Sequence, residues 1–271
     1  MEFHLTKKEA ALEGQWLLPP PQGRTIRYEE PLHHGFLPKI ARALETTRWP
    51  SQFWGYHYRL KTNRGLIHES TPASEYYKIA WRSMSQKYHG AAIALKSVEQ
   101  NVYTIRSEYL SRRIAFGEQQ QPSLSFSLEL YQLRSDFATL LFLIRSILDQ
   151  FASIVQFLSG PRAKQYSSFA DLVSKCENGT SMAEVPSVVQ VHLKNESSWF
   201  WRMRDIRDYL AHHGFVHLHL IETDEMDVRF FIHRRIDMVE LAREFAAGFD
   251  GMLSILDSGY AARILESYEP R

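Results

Sequence analysis

The chain of 271 residues holds one cysteine, no excess of charge of either sign, and no long apolar run free of charged residues. With Cys176 alone, an intramolecular disulfide is excluded, as is a thiolate cluster for zinc or iron–sulfur. A reducing compartment, the cytoplasm, fits. The 32 basic and 31 acidic side chains leave a formal charge of +1. Such a chain exerts no long-range pull on a polyanion, so any nucleic acid must be gripped by local basic patches. The opening "MEFHLTKKEAALEG" is charged and lacks the apolar core of a secretory leader. The most apolar window, "FATLLFLIRSILDQFASIVQFL" from Phe137 to Leu158, carries Arg145, Asp149, Gln150 and Gln156. Central charges cost about 2.5–3.5 kcal/mol each in lipid, so this window reads as a buried helix and no membrane partner is expected. P-loop, G-x-G-x-x-G, G-x-S-x-G and H-E-x-x-H motifs are all missing, and no cofactor is expected.

What is there suits a soluble globular protein able to bury a core: 44% hydrophobic and 23% charged residues. Residues 1–72 mix prolines, glycines and aromatics in "LLPPPQG", "EEPLHHG", "RWPSQFWGYHY" and "KTNRGLIHESTP", without sustained periodicity. They read as an irregular N-terminal extension, with a short helix through "LPKIARALE" and a strand around "FWGYHYRLK". From Ala73 the period becomes helical. Met84, Tyr88, Ala91, Leu95, Val98, Val102, Ile105 and Tyr109 form the seam of one long helix that stops near Gly117. After "EQQQPS", Phe126, Leu130, Leu133, Phe137, Leu140, Ile144, Ile147, Phe151, Ile154 and Leu158 form a second seam, ended by "SGPR". Two such helices on a short connection predict an antiparallel hairpin, the start of a bundle.

A shorter helix is expected at "SSFADLVSKCEN". Another opens at Pro186 and reaches His212, bent at "KNESS", with Gly214 as its stop. The period then switches to two. Val216, Leu218 and Leu220 share one face, His217 and His219 the other; Val228, Phe230 and Ile232 answer across "TDE". A last helix runs from Asp237 to about Asp257 on the stripe Val239, Ala242, Phe245, Phe249, Leu253, Leu256. The expected fold is mainly α: an antiparallel helical bundle over residues 73–258, one small inserted β-hairpin at about 215–233, and a tail at 259–271.

One stretch, "RDIRDYLAHHGF" from Arg204 to Phe215, carries chemistry. Arg207 and His212 are the only arginine–histidine pair five apart, and with 22 arginines and 12 histidines chance alone supplies about one. Position adds what spacing does not. The pair stands near the end of a bundle helix, before a glycine stop, with Asp208 directly after the arginine. Metal-free RNA cleavage has the ribose 2′-hydroxyl attack the neighbouring phosphorus and expel the 5′-oxygen. Histidine, with an ordinary pKa of about 6.5, moves protons at neutral pH, and arginine offers a permanent planar fork to the phosphoryl oxygens. Five residues on a helix leave two side chains about 140° apart, so one helix aims them poorly at a single phosphate. Two copies about a twofold axis can converge on it. Asp208 is four before His212 and is expected to orient the imidazole, with Arg204 pinning Asp208.

The constellation Arg207, Asp208, Tyr209-Leu210-Ala211, His212 in a helical bundle resembles the HEPN superfamily, whose ribonuclease members carry arginine, a polar residue, a few more residues and histidine. The helix with "RSILDQ", Arg145 to Gln150, looks like the partner helix of such proteins, and the hairpin is similar to one in some bacterial members. The resemblance covers about residues 73–258 in architecture but only this one motif in detail. It implies a metal-independent endoribonuclease that leaves a 2′,3′-cyclic phosphate, acting on RNA as a homodimer with a composite site. A role as a toxin or antiviral effector, with a cognate antitoxin or defence partner, goes with it. One departure stands out: the toxin subgroup modified by a nucleotidyltransferase has a tyrosine two residues after the histidine, where this chain has Gly214.

Blander readings stand beside each of these. Arg204, Asp205, Asp208 and His212 can be a solvated helix face with ion pairs worth about 0–1 kcal/mol each. The domain can equally be a non-catalytic HEPN-like module that binds nucleotide, RNA or a protein. Arg145 and Asp149 are a structural ion pair or a support for the site across the bundle. His213 stacks on RNA or faces water; Tyr209 is core or interface. The histidines at 33, 34, 217, 219 and 233 come without a carboxylate pattern for metal. "WFWRMR", "RFFIHRR" and "SEYLSRR" mix aromatics and arginines as RNA surfaces do, and as ordinary helix faces do.

Overall fold

The computed structural model describes residues 24–25, 72–116, 127–159, 166–180, 182, 185–214, 216–223, 227–232 and 236–266. The short helix and strand expected within 1–72, apart from 24–25, lie outside these residues, as does the connection at 117–126.

Among the described residues there are six helices: α1 (Pro72–Phe116), α2 (Ser127–Ser159), α3 (Phe169–Glu177), α4 (Ser187–Asn195), α5 (Ser198–His213) and α6 (Met238–Glu266). A small antiparallel sheet joins β1 (Arg24–Thr25), β2 (Leu218–Glu222), β3 (Val228–Ile232) and β4 (Ile236–Asp237) in that order. The mainly α fold with a small β insertion is therefore what the chain adopts. The chain divides into two compact units. One takes β1, α1 from Ala94 on, α2 as far as Ala138, and Asp205–Glu244. The other takes α1 up to Ile93, α2 from Thr139, α3, α4, α5 as far as Arg204, and α6 from Phe245.

Both long seams are buried where they are described. Met84, Tyr88, Ala91, Leu95, Val98, Val102, Ile105 and Tyr109 on α1 are all inside, as are Leu130, Leu133, Phe137, Leu140, Ile144, Ile147 and Phe151 on α2. Removing such side chains from water, at roughly 25 cal/mol per Å², is what holds the helices together. Polar clasps fix the register in each unit. In the second, Lys87 Nζ donates to Ser146 Oγ (2.7 Å) and Gln150 Nε2 to Ser83 Oγ (3.1 Å). In the first, Ser97 and Asn101 both donate to Asp136 Oδ2, and Gln132 donates to Asp136 Oδ1.

Helix ends follow side-chain chemistry. Ser168 Oγ accepts from the Asp171 N–H at the start of α3, and Asp237 Oδ1 accepts from the Val239 and Glu240 N–H groups at the start of α6. The helix expected to run bent from Pro186 to His212 is instead two helices. At the break, the Ser197 carbonyl accepts from Phe200 and Trp201 N–H, while its hydroxyl turns away to donate to Glu177 Oε1 (2.6 Å). α6 also continues to Glu266, past Asp257. Gly259 lets the helix pass close to α4: a Cβ there would lie 2.7 Å from Val189.

The sheet departs from the simple hairpin in two ways. Two-residue strands flank it at both edges, β1 pairing with β2 (Arg24↔Glu222) and β4 with β3 (Phe231↔Asp237). Its second face is also partly covered, since Ile221 and Phe231 are buried on the side that carries His219 and Arg229. α1 clasps the hairpin. Arg106 Nε donates to the Val228 carbonyl (2.7 Å) and pairs with Asp227 (3.3 Å), and Arg113 pairs with Glu222 (3.2 Å).

Candidate functional site

The apolar residues of α5 decide which of its side chains look outward. Trp199, Met203, Ile206 and Leu210 recur every three or four residues and are buried, together with Phe200. The intervening Arg204, Asp205, Arg207 and Asp208 are thereby left half-exposed, and Ala211, His212 and His213 are exposed. Gly214 ends the helix with φ of 79°, a conformation that costs glycine nothing, and its N–H donates to the Leu210 carbonyl (2.8 Å).

Arg207, Asp208, Tyr209, His212 and His213 belong to the first unit. Asp208 was expected to orient His212. Instead its Oδ1 accepts from Arg207 Nη1 at 2.5 Å, with the two side chains about equally half-exposed. The charge-assisted bond to the adjacent guanidinium is the stronger of the two choices open to that carboxylate. Among the described residues, none hydrogen-bonds, ion-pairs or stacks with the His212 imidazole. His213 lies on Tyr209, one turn earlier, with ring centroids 4.4 Å apart and planes 27° from parallel.

Arg204, Arg145 and Asp149 belong to the second unit. The Arg204 guanidinium lies over the Trp201 ring at 5.3 Å, the arrangement expected of a cation on an aromatic face. Arg145, nearly buried, pairs with Asp149 (3.1 Å) and lies over the Phe200 ring (5.1 Å). Asp149 Oδ1 also accepts from the Phe169 N–H (2.9 Å), the first of α3. The ion pair therefore has a structural task, anchoring the start of α3 to α2.

Other candidates separate in the same way. Of the aromatics in "WFWRMR", Trp199 and Phe200 are core, while Trp201 is half-exposed and donates from Nε1 to Glu177 (2.7 Å). In "SEYLSRR", Arg112 pairs with Glu108 and Arg113 with Glu222. In "RFFIHRR", Arg229 lies 3.9 Å from Glu240, and residues 233–235 are outside the described set. His217 is exposed and His219 half-exposed, and among the described residues no three His, Cys, Asp or Glu side chains gather as a metal site would require. His33, His34 and His233 are likewise outside the described residues. No described helix is long and apolar enough to cross a membrane.

Burial pushes the Cys176 thiol up to about 12, the Glu177 charge adding to it, so this cysteine is no nucleophile near neutral pH. Sequence reasoning passed over Glu177, which accepts from both Ser197 Oγ and Trp201 Nε1. Nothing in the spacing marks it, because its partners lie at least twenty residues on. The Tyr209–His213 stack did have a signal, the i, i+4 spacing that sets two side chains over one another. No protein-family model, curated protein or solved structure matches the chain.

Proposed function

We propose that the chain is a metal-independent endoribonuclease of HEPN type, acting as a homodimer in the cytoplasm as a toxin or defence effector. The observation that carries this reading is the state of the two motif side chains on α5. His212 is exposed with no partner among the described residues, and Arg207 stands half-exposed in the same unit. In the reaction, an imidazole takes the proton of the ribose 2′-hydroxyl as its oxygen bonds to phosphorus. A proton then passes to the departing 5′-oxygen, leaving a 2′,3′-cyclic phosphate and a 5′-hydroxyl. Such proton transfers contribute about 10²–10⁴-fold. Arg207 meets the charge on the phosphoryl oxygens. Its guanidinium has five N–H donors, one of which, at Nη1, is given to Asp208. The roughly 140° between the two side chains calls for a second copy to complete the site.

The Arg207–Asp208 pair also favours a second reading. A carboxylate at 2.5 Å cancels part of the charge that catalysis would use, which suits a module that binds RNA, nucleotide or protein without cutting. End analysis tests the choice. Purified chain incubated with RNA in EDTA should yield fragments ending in 2′,3′-cyclic phosphate; RNA that is bound but left whole would favour the binding module.

A further inference from the structure

We propose that Ser146 and Lys87 form a nucleophile–base dyad that takes an acyl group from a carboxylic amide or ester. This is a second chemistry, in the unit that does not hold Arg207 and His212. It is independent of the RNA reading, and the failure of either leaves the other standing.

Lys87 Nζ on α1 lies 2.7 Å from Ser146 Oγ on α2, within the reach needed of a base and the hydroxyl it activates. One turn earlier on α1 and one turn later on α2, Gln150 Nε2 donates to Ser83 Oγ at 3.1 Å. Residues four apart on a helix stand about 5–6 Å from each other, so the two rungs make one polar cluster. Ser83, Lys87, Ser146 and Gln150 are each half-buried, neither sealed in the core nor fully in water. On the other side of Lys87 the two helices close up, since a Cβ on Gly90 would lie 3.0 Å from Leu143 Cδ1.

Lys87 has no counter-charge. Among the described residues no carboxylate pairs with it, and Ser146 is its one hydrogen-bond partner. Asp149, one turn from Ser146 on α2, is held by Arg145 and the Phe169 N–H. Burial lowers the Lys87 pKa from its ordinary value, which raises the share of neutral amine. In that form the bond reverses, and the Ser146 O–H donates to Nζ. Gln150 adds an acceptor with nothing to accept: its Oε1 is buried and has no hydrogen-bond partner among the described residues. Two interhelical clasps need neither a lysine without a counter-charge nor an empty buried acceptor, and both are costly to keep.

In the reaction, Lys87 Nζ takes the Ser146 proton as Oγ bonds to the carbonyl carbon. The Ser83 O–H meets the carbonyl oxygen as it gains charge, and Gln150 Oε1 accepts the N–H of an amide. The bond from carbon to the amine or alcohol then breaks, and that group leaves with the proton from Lys87. Water repeats the sequence on the Ser146 ester and releases the acid.

The test uses an alkyl fluorophosphonate, with which Ser146 Oγ bonds to phosphorus, fluoride leaves and Lys87 takes the proton. The full chain is incubated with it, and intact mass with peptide mapping reads the product. The parent should gain one phosphonyl group per chain, on Ser146, and Ser146→Ala should gain none. Lys87→Arg separates the dyad from the clasp, because a guanidinium still donates to Ser146 but stays charged and cannot act as a base. It should keep the parent's urea midpoint and label about 10²–10⁴-fold more slowly. Lys87→Met, with the amine gone altogether, should slow to the same extent. A parent unlabelled at Ser146 overturns the dyad, as does labelling at the parent's rate in both Lys87 variants; either leaves two structural clasps. RNA cleavage by the same preparation is read separately and bears only on Arg207 and His212.

Discussion

The indole of Trp199 occupies the space in which a side chain at position 248 would begin: a Cβ on Gly248 would lie 2.5 Å from its Cγ and Cδ2. α6 thus meets the buried Trp199 ring through a gap that only glycine leaves. Gly248→Ala should destabilise the protein by up to about 2 kcal/mol, because overpacking at about 1–3 kcal/mol outweighs the gain of about 1 kcal/mol in helix propensity. Gly251 on the same helix is exposed, with nothing within 4 Å of its Cβ position, so Gly251→Ala should stabilise by about 0.5–1 kcal/mol. Urea denaturation of the two variants beside the parent reads both signs at once.

Asp149 holds both the Arg145 guanidinium and the first N–H of α3. Asp149→Ala should cost about 1–3 kcal/mol, less than for a fully buried pair because a third of that side chain meets solvent. Arg145→Met should cost less than Asp149→Ala, since it removes the charge instead of stranding it and leaves Asp149 to cap α3. Comparing urea midpoints of the two single variants checks the order.

Cys176 should be inert in the native state. Buried and held near pKa 12, it should react with a disulfide reagent at pH 8 only after unfolding, giving about one thiol per chain in denaturant and close to none without it. Rapid labelling of folded protein would show that the α3 core is open.

His192 supplies a pH dependence. Burial holds its imidazole below the ordinary 6.5, with Glu196 opposing in part. The native state therefore binds fewer protons than the unfolded chain just below that value. The stability associated with neutral His192 is complete above about pH 6.5 and declines as pH falls towards the native value. His192→Gln should flatten that part of the stability curve between about pH 7 and 5, as measured by urea midpoints; a curve parallel to the parent's would remove His192 from the account.

Periodicity made most of the core legible. Every described residue of the two long seams and of the α6 stripe is buried, because a three-and-four spacing of large apolar side chains has no other low-energy placement. Where the reading departed from the fold, the deciding atoms lie far away in the chain. The break at Ser197 depends on Glu177, and the continuation of α6 past Asp257 depends on Gly259 fitting against Val189. Burial of Ile221 and Phe231 is invisible to an alternation rule that assumes one wet face. Strands of two residues are too short to leave any pattern.

The site was legible in the same uneven way. Helical pattern and Gly214 placed Arg207 and His212 at the end of a helix, and burial of Trp199, Met203, Ile206 and Leu210 turned that end outward. Which partner Asp208 takes was not legible, since Arg207 at one residue and His212 at four are both within reach of a carboxylate and only side-chain rotamers separate them. The choice of Arg207 leaves His212 without a partner among the described residues, and the catalytic proposal depends on that.

The most direct measurement is the rate at which one defined RNA is cut in EDTA by the parent, by Arg207→Ala and by His212→Ala, with circular dichroism confirming that all three are folded. The account predicts that each substitution lowers the rate by about 10²–10⁴-fold. Variants that cut as fast as the parent would contradict it and return "RDYLAH" to the charged end of an ordinary helix.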